Sequence, residues 1–321
     1  MDIKKECTGY ILQIYQNGKV KTDIYGDINL NKEKMTIDSI FDVASITKLF
    51  TSIVMHQIID EKIIDLDTKI QDIESKFCKL NNVTFRDLLG HKKEIWSDGH
   101  IKEVNTIEEF YNKIYNSIIY SDTFGYSDVN YIILSILLEE IFKKPFIEIV
   151  TERIFKPLDL KNTSFGCKGR NNVVSTGVLM GEIHDPKANI AEKHNIYLGH
   201  AGIFTTAKDL MKVLECFLKM DIIFNKRIVE RMLVSDEFNK YTEGGVRHTI
   251  KNREDDLPRN ANNHCVKLRG YTGPDFIIDF ENKIIILLMI NLSAINNNRA
   301  QKEKFKISDE FMNEIYNKLA S

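Results

Sequence analysis

Two hairpin signals, one near each end of the 321-residue chain, constrain this sequence more than anything between them. Tyr10 to Tyr15 and Lys19 to Tyr25 flank Asn17-Gly18, a dipeptide that supplies the positive φ angles of a tight turn. At the far end, Asp275 to Asp279 and Lys283 to Asn291 are apolar, β-branched runs joined by Phe280-Glu281-Asn282. Phe305, Phe311, Met312, Ile315, Tyr316 and Leu319 then recur at helical spacing and predict a closing amphipathic helix. The middle reads as mostly helical: Asn130 to Lys143 is periodic, Pro145 restarts a helix and Pro157 ends it. Arg247 to His264, rich in Arg, Asn, Asp and Glu, reads as an exposed loop. The pattern predicts an α+β fold: one sheet built from both chain ends (residues 8–65 and 196–321) with a mainly helical subdomain (66–195) inserted.

Charge removes some function classes. Lys and Arg number 44 against 46 Asp and Glu, a net charge of −2, which leaves no basic footprint for nucleic acid. The five cysteines are scattered, odd in number and free of CxxC spacing, as reduced structural thiols are. MDIKKECTGY has no apolar signal-like core, and no run reaches the length of a membrane span, so a cytoplasmic location without a membrane partner is expected.

FDVASITKLF, residues 41–50, sets Ser45 and Lys48 three apart at the start of an apolar helix whose spacing runs through Leu49, Phe50, Ile53, Val54, Ile58 and Ile59. A cation in a first helical turn costs about 0.3 to 1 kcal/mol. One reading is a surface lysine whose stem covers apolar neighbours. The other is chemical. A serine hydroxyl needs a base to become a nucleophile, and residues at i and i+3 share a helix face. The helix terminus and apolar surroundings would lower the lysine pKa and leave Lys48 neutral, while the Ser45 N–H would face a developing oxyanion. S-x-x-K arises about once by chance in such a chain, and Ser45 is the only serine here with lysine three residues on. Tyr126, in FGYSDVNYIIL, precedes a periodic helix. It is either packed beside a cap formed by Ser127 or Asp128, or a proton relay with a depressed pKa beside Lys48.

FDVASITK, LDLDTKI, VTFRDLLGH, FGYSDVNYIIL, FKPLDLKNTSF, GEIHDPKA and GHAGIFTTAKDL occur in that order. From about Gly9 to Leu292 the chain thereby resembles the serine β-lactamase-related family, which comprises class C β-lactamases, low-molecular-weight penicillin-binding proteins and esterase relatives. The resemblance implies a β-lactamase/transpeptidase-like fold, a mainly antiparallel sheet flanked by helices, with the active site between sheet and helical region. It maps Ser45 to the acylated serine, Lys48 to its partner base and Tyr126 to the tyrosine of the Y-x-N element. Asp128 stands where class C enzymes carry Asn, and an aspartate donates no amide hydrogen bond; this favours esters over β-lactams. The third element, K/H-T/S-G, corresponds without gaps to Leu268-Arg269-Gly270. Tyr271-Thr272-Gly273, or Lys267 brought in through a bulge, are the other registers. In the first, Arg269 is a displaced cation for an anionic group, and the strand end at Gly270 and Tyr271 supplies a second oxyanion N–H.

His184, Asp185, His194 and His200 cluster in a way that allows a metal-ligand reading, yet no HExxH or CxxC spacing accompanies them, and the resemblance makes them structural. No metal or cofactor is expected. His91 fits the family's LL-x-H, where a loop-fixing hydrogen bond is the modest reading, and Trp96 lies in a loop that either lines the cleft or simply packs. The expectation is a monomeric serine hydrolase forming an acyl-enzyme with a small ester, amide or peptide, esterase favoured over efficient β-lactamase. The alternative is a catalytically weak penicillin- or ligand-binding protein on the same scaffold.

Overall fold

A computed structural model describes residues 2–167, 169–177, 181–235, 239–248, 257–258, 260–295 and 300–320, with Lys102 by its backbone alone. β1 (Gly9–Gln16) turns through Asn17 and Gly18, at φ 54° and 75°, into β2 (Lys19–Gly26), pairing from Gly9↔Gly26 to Gln16↔Lys19. β3 (Ile40–Asp42) leads through a single 3-10 turn, Ala44–Ile46, into helix α1 (Thr47–Asp60). The small strands β4 (Glu94–Trp96) and β5 (Ile118–Ser121) pair with each other and precede helix α2 (Asp128–Phe142). β6 (Ser164–Phe165) and β7 (Ile203–Thr206) join β3 in a three-stranded sheet. β8 (Arg247–His248), β9 (Cys265–Arg269), β10 (Asp275–Asp279) and β11 (Ile284–Ile290) complete the main sheet, and helix α3 (Gln301–Leu319) closes the chain.

The main sheet runs β2-β1-β11-β10-β9-β8 with every neighbour antiparallel, so the first strand pairs with the last in the register Tyr10↔Ile290. Side chains alternate between its faces. Leu268, Phe276, Ile278, Ile285 and Leu287 join the large core that also holds α1, α2 and the helix Ala207–Lys219. Ile277, Ile286 and Leu288 turn the other way, onto Ile307, Met312 and Tyr316 of α3. Burying each such aliphatic side chain is worth about 1.5 to 3 kcal/mol.

Helix α1 is buried on all sides from Thr47 to Ile59, which marks it as a core helix. That burial takes Lys48, its second residue, out of water. Both terminal hairpins, the periodic helix after Tyr126 and the closing helix lie where the sequence pattern puts them. Pro145 caps a helix, as read. The segment 247–264 differs: Arg247 and His248 pair with β9 as an edge strand, with His248 buried, while 249–256 and 259 lie outside the described residues. Among the described residues no helix is long and apolar enough to cross a membrane.

Candidate active site

The site starts where β3 ends. Asp42 is fully buried, its Oδ1 accepting from the Ala44 N–H at 2.8 Å and its Oδ2 from the His184 N–H at 2.8 Å. Burial pushes its carboxyl up to about 6. Ala44 has φ 45°, a conformation that side chains rarely adopt, and the sharp turn it makes presents Ser45 on the 3-10 turn just ahead of α1.

Ser45 Oγ shares a 3.0 Å hydrogen bond with Tyr126 Oη and accepts a 3.1 Å bond from Lys48 Nζ. Lys48, with 1% of its side chain exposed, also donates to Asp128 Oδ1 at 2.9 Å and to the His200 carbonyl at 3.1 Å. Three donors meet three acceptors, the full capacity of an ammonium.

This overturns the expectation of a neutral Lys48. Burial pulls its pKa down, but the Asp128 carboxylate and Tyr126 more than offset that and hold it well above the ordinary lysine value. Asp128 is affected reciprocally: burial opposes its charge, and Lys48 above all keeps it well below the usual carboxylate range. The depressed Tyr126 pKa is overturned as well, since burial raises it by more than Lys48 lowers it.

The packing reading of the Tyr126 loop is what the structure shows. Ser127, not Asp128, caps α2, accepting from the Val129 N–H at 3.2 Å. Its own N–H donates to His91 Nδ1 at 3.3 Å, and the His91 ring lies 4.7 Å from that of Tyr126. Burial, followed by the charge of Lys48, lowers His91 to about 3, so a neutral imidazole supports the tyrosine. Trp96 is half-exposed on β4 and stacks flat on Tyr120 at 3.7 Å.

The third element departs from expectation at Arg269. Lys267 and Arg269 share the sheet face covered by α3, where Lys267 pairs with Asp275 at 2.9 Å and Asp309 at 2.6 Å. Arg269 pairs with Asp275 at 2.7 Å and with Asp309. Its guanidinium is therefore committed beneath the closing helix and does not turn into the cleft. Leu268 is buried in the core, and β9 pairs with β10 without a shift from Cys265 to Arg269, so no bulge brings Lys267 round. Gly270 abuts the turn that carries Ser45: a Cβ there would run into the Val43 carbonyl. Thr272 Oγ1 donates to the Asp42 carbonyl at 2.7 Å, pinning this strand end to β3. Tyr271, more than half exposed, lays its ring against His184 at 5.6 Å. Neither the Ser45 nor the Tyr271 N–H has an acceptor among the described residues.

On the other side, Asp128 Oδ2 meets Lys187 Nζ at 2.9 Å, Lys187 meets Asp185 Oδ2 at 3.2 Å, and Asp185 Oδ1 meets His200 Nε2 at 2.9 Å. Asp128, Asp185 and His200 offer ligand atoms within 4.8 Å of one another, but the cation between the two carboxylates is the protein's own lysine. His184 and His194 are elsewhere, one on Asp42 through its backbone and the other ending a helix. Asp42 and Lys187 are not singled out by the sequence, and Thr272 enters only through the alternative register of the third element. Lys187 lies inside GEIHDPKA, and its cationic character next to an aspartate was the available signal.

A family model described as Beta-lactamase matches residues 3–308. The chain is 29% identical to Beta-lactamase-like protein 4 of Dictyostelium discoideum over 65% of its own length, and spans 41% of that relative. It is 23% identical to the N-acetylmuramyl-L-alanine amidase of Bacillus subtilis (strain 168), over 90% of this chain and 78% of that one. The solved structure of EstCE1, a hydrolase with promiscuous acyltransferase activity, superposes with a TM-score of 0.75 at 16% identity, covering 94% of this chain and 93% of that one.

Proposed function

Since the chain belongs to the beta-lactamase family of serine hydrolases, we propose that Ser45 forms an acyl-enzyme with a small, neutral ester, and does so more readily than with a β-lactam. The observation that carries this reading is the placement of one serine oxygen within hydrogen-bond reach of both Tyr126 and Lys48. Lys48, tied to Asp128, keeps its proton and acts as a fixed positive charge. Tyr126 takes the serine proton as Oγ attacks in the fraction of enzyme whose phenol has already lost its own proton to solvent, a form that burial opposes and that the ammonium 5.0 Å from the ring centre makes accessible. The N–H groups of Ser45 and Tyr271 hold the oxyanion. Tyr126 returns the proton to the leaving alkoxide, and water completes the cycle.

The ester preference rests on two groups. Asp128 lacks the N–H of an asparagine that an amide carbonyl would accept, and adds negative charge beside it. Arg269 and Lys267 are bound beneath α3, so β9 offers no cation to a substrate carboxylate. Each lost polar partner is worth about 1 to 3 kcal/mol.

The test has two arms. A fluorophosphonate should label Ser45, with Ser45→Ala unlabelled; adducts mapping to another serine would end the assignment. On one enzyme preparation, kcat/KM for a p-nitrophenyl ester should exceed that for nitrocefin, with Ser45→Ala as background. A wide margin for nitrocefin would make this a β-lactamase, and a lasting adduct without turnover would make it a binding protein.

A further inference from the structure

Five residues close a ring around the inner end of the site. Lys48 pairs with Asp128, Asp128 with Lys187, Lys187 with Asp185, Asp185 with the His200 ring, and the His200 carbonyl returns to Lys48. The function proposed above uses only the first pair. Lys187 is the second residue of the helix Pro186–Lys193, capped by Asp185, whose Oδ1 accepts from the Lys187 N–H at 2.9 Å and the Ala188 N–H at 3.0 Å. A first-turn cation is disfavoured by the helix dipole, so the helix itself gives no reason for a lysine there. The two carboxylates do.

We propose that Lys187 is a positioning residue of this site: by holding the outer oxygen of Asp128, it limits how tightly Lys48 and Tyr126 keep their protons. The argument is one of competition. Asp128 presents Oδ1 to Lys48 and Oδ2 to Lys187, so a single negative charge serves two ammonium groups. Remove Lys187 and the whole of that charge faces Lys48, and a nearby positive charge that opposes protonation of the Lys48–Tyr126 pair is gone as well. Both changes make the pair harder to deprotonate. The other groups around it are His91 and Tyr241 against Tyr126, Tyr131 beside Lys48, and Asp185 and His200 beyond Asp128. Of these, His200 also bears on Asp128 electrostatically, but its Nε2 is bonded to Asp185 and not to Oδ2.

This inference rests on the reading of Ser45, Lys48 and Tyr126 as the reacting groups, and its test separates the two. The first measurement is the pH profile of kcat/KM for a neutral p-nitrophenyl ester with wild type, Lys187→Met and Lys187→Arg. Lys187→Met should move the rising limb to higher pH by about one unit, a loss of about tenfold near neutrality that disappears at high pH. KM should stay within about twofold, and Lys187→Arg should restore the wild-type profile. The second needs no turnover: 3,5-difluorotyrosine placed at position 126 in the Ser45→Ala protein, its phenol titrated by fluorine NMR. Lys187→Met should raise that midpoint by a similar amount. An unmoved midpoint overturns the proposal whether or not Ser45 is the nucleophile. So does a loss equal at every pH, or an effect confined to the KM of carboxylate-bearing esters, which would make Lys187 a substrate-anion contact.

Discussion

Lys48 and Asp128, 80 residues apart in sequence, form a 2.9 Å ion pair in which the lysine is sealed from solvent and the carboxylate is about a quarter exposed. The pair decides which group is free to accept a proton. With the carboxylate in place the ammonium keeps its own, and the proposed mechanism therefore assigns proton transfer to the hydroxyl of Tyr126.

Asp128→Asn tests this directly. Losing the carboxylate removes a negative charge that helps hold the Tyr126 pKa up, so the rising limb of the pH–rate profile for esters should move to lower pH by about one unit. The new amide N–H should also narrow the gap between nitrocefin and ester. For stability the sign is fixed by the lowered folded-state pKa of Asp128. Its contribution is present above the unfolded value of about 4 and is lost as pH falls through the folded value. Thermal melts should therefore show the variant less stable than wild type at pH 7, with the difference shrinking in acid.

Tyr126→Phe and Lys48→Met should each lower the rate of Ser45 acylation by about 100-fold or more, with a smaller change in ester binding. Single-turnover labelling of variants with native circular dichroism separates the two effects. Acylation near the wild-type rate in both would remove the proposed proton path.

Arg269→Met should leave KM for a carboxylate-bearing ester unchanged, because the guanidinium faces Asp275 and Asp309 rather than the cleft. The cost should fall on stability. Breaking one partner out of a buried charge cluster typically costs about 3 to 5 kcal/mol, readable in denaturant unfolding. A large rise in KM at unchanged stability would return Arg269 to the substrate site.

Gly270→Ala adds a methyl against the Val43 carbonyl, and because that neighbour is backbone, β9 and the nucleophile turn must separate. Overpacking of this kind costs about 1 to 3 kcal/mol. The Tyr271 N–H moves away from the Ser45 N–H, so kcat should fall at least tenfold while KM changes little. An unchanged kcat would mean that this strand end does not serve the oxyanion.

What was legible in the sequence depended on how local the governing physics was. Asn17-Gly18 and the runs around Phe280-Glu281-Asn282 announce their hairpins because turn geometry and alternation act over a few residues. Ser45 and Lys48 stand out by their spacing at the head of an apolar helix and Tyr126 by its place before another; the family phrases strengthen the reading, and the structure brings the three together. The charge on Lys48 is not legible locally because it is set by Asp128, 80 residues on, whose sequence position speaks to the substrate and not to the lysine. Arg269 was misjudged although alternation held a clue: with Leu268 facing the core, its neighbours on both sides must face the opposite way, and their partner, Asp309, lies in a helix about 40 residues on. Asp42 acts through backbone N–H groups at a turn whose sharpness depends on Ala44 adopting a positive φ, which no side chain there announces.

The pairing of β1 with β11 also has a consequence for how the molecule comes into being. During synthesis the β1–β2 hairpin emerges well before β11, and a lone hairpin is marginally stable in water. Its permanent neighbour is not made until the ribosome has passed residue 290. The hydroxyl of Thr272, which ties the third element to Asp42, is equally late. A nascent chain can carry Ser45 and the whole of α1 long before Thr272 and β11 are made, and until then β1 has no partner on that side. Pulse-labelled chains arrested before β11 should bind chaperone and resist fluorophosphonate, and should gain reactivity in a single late step.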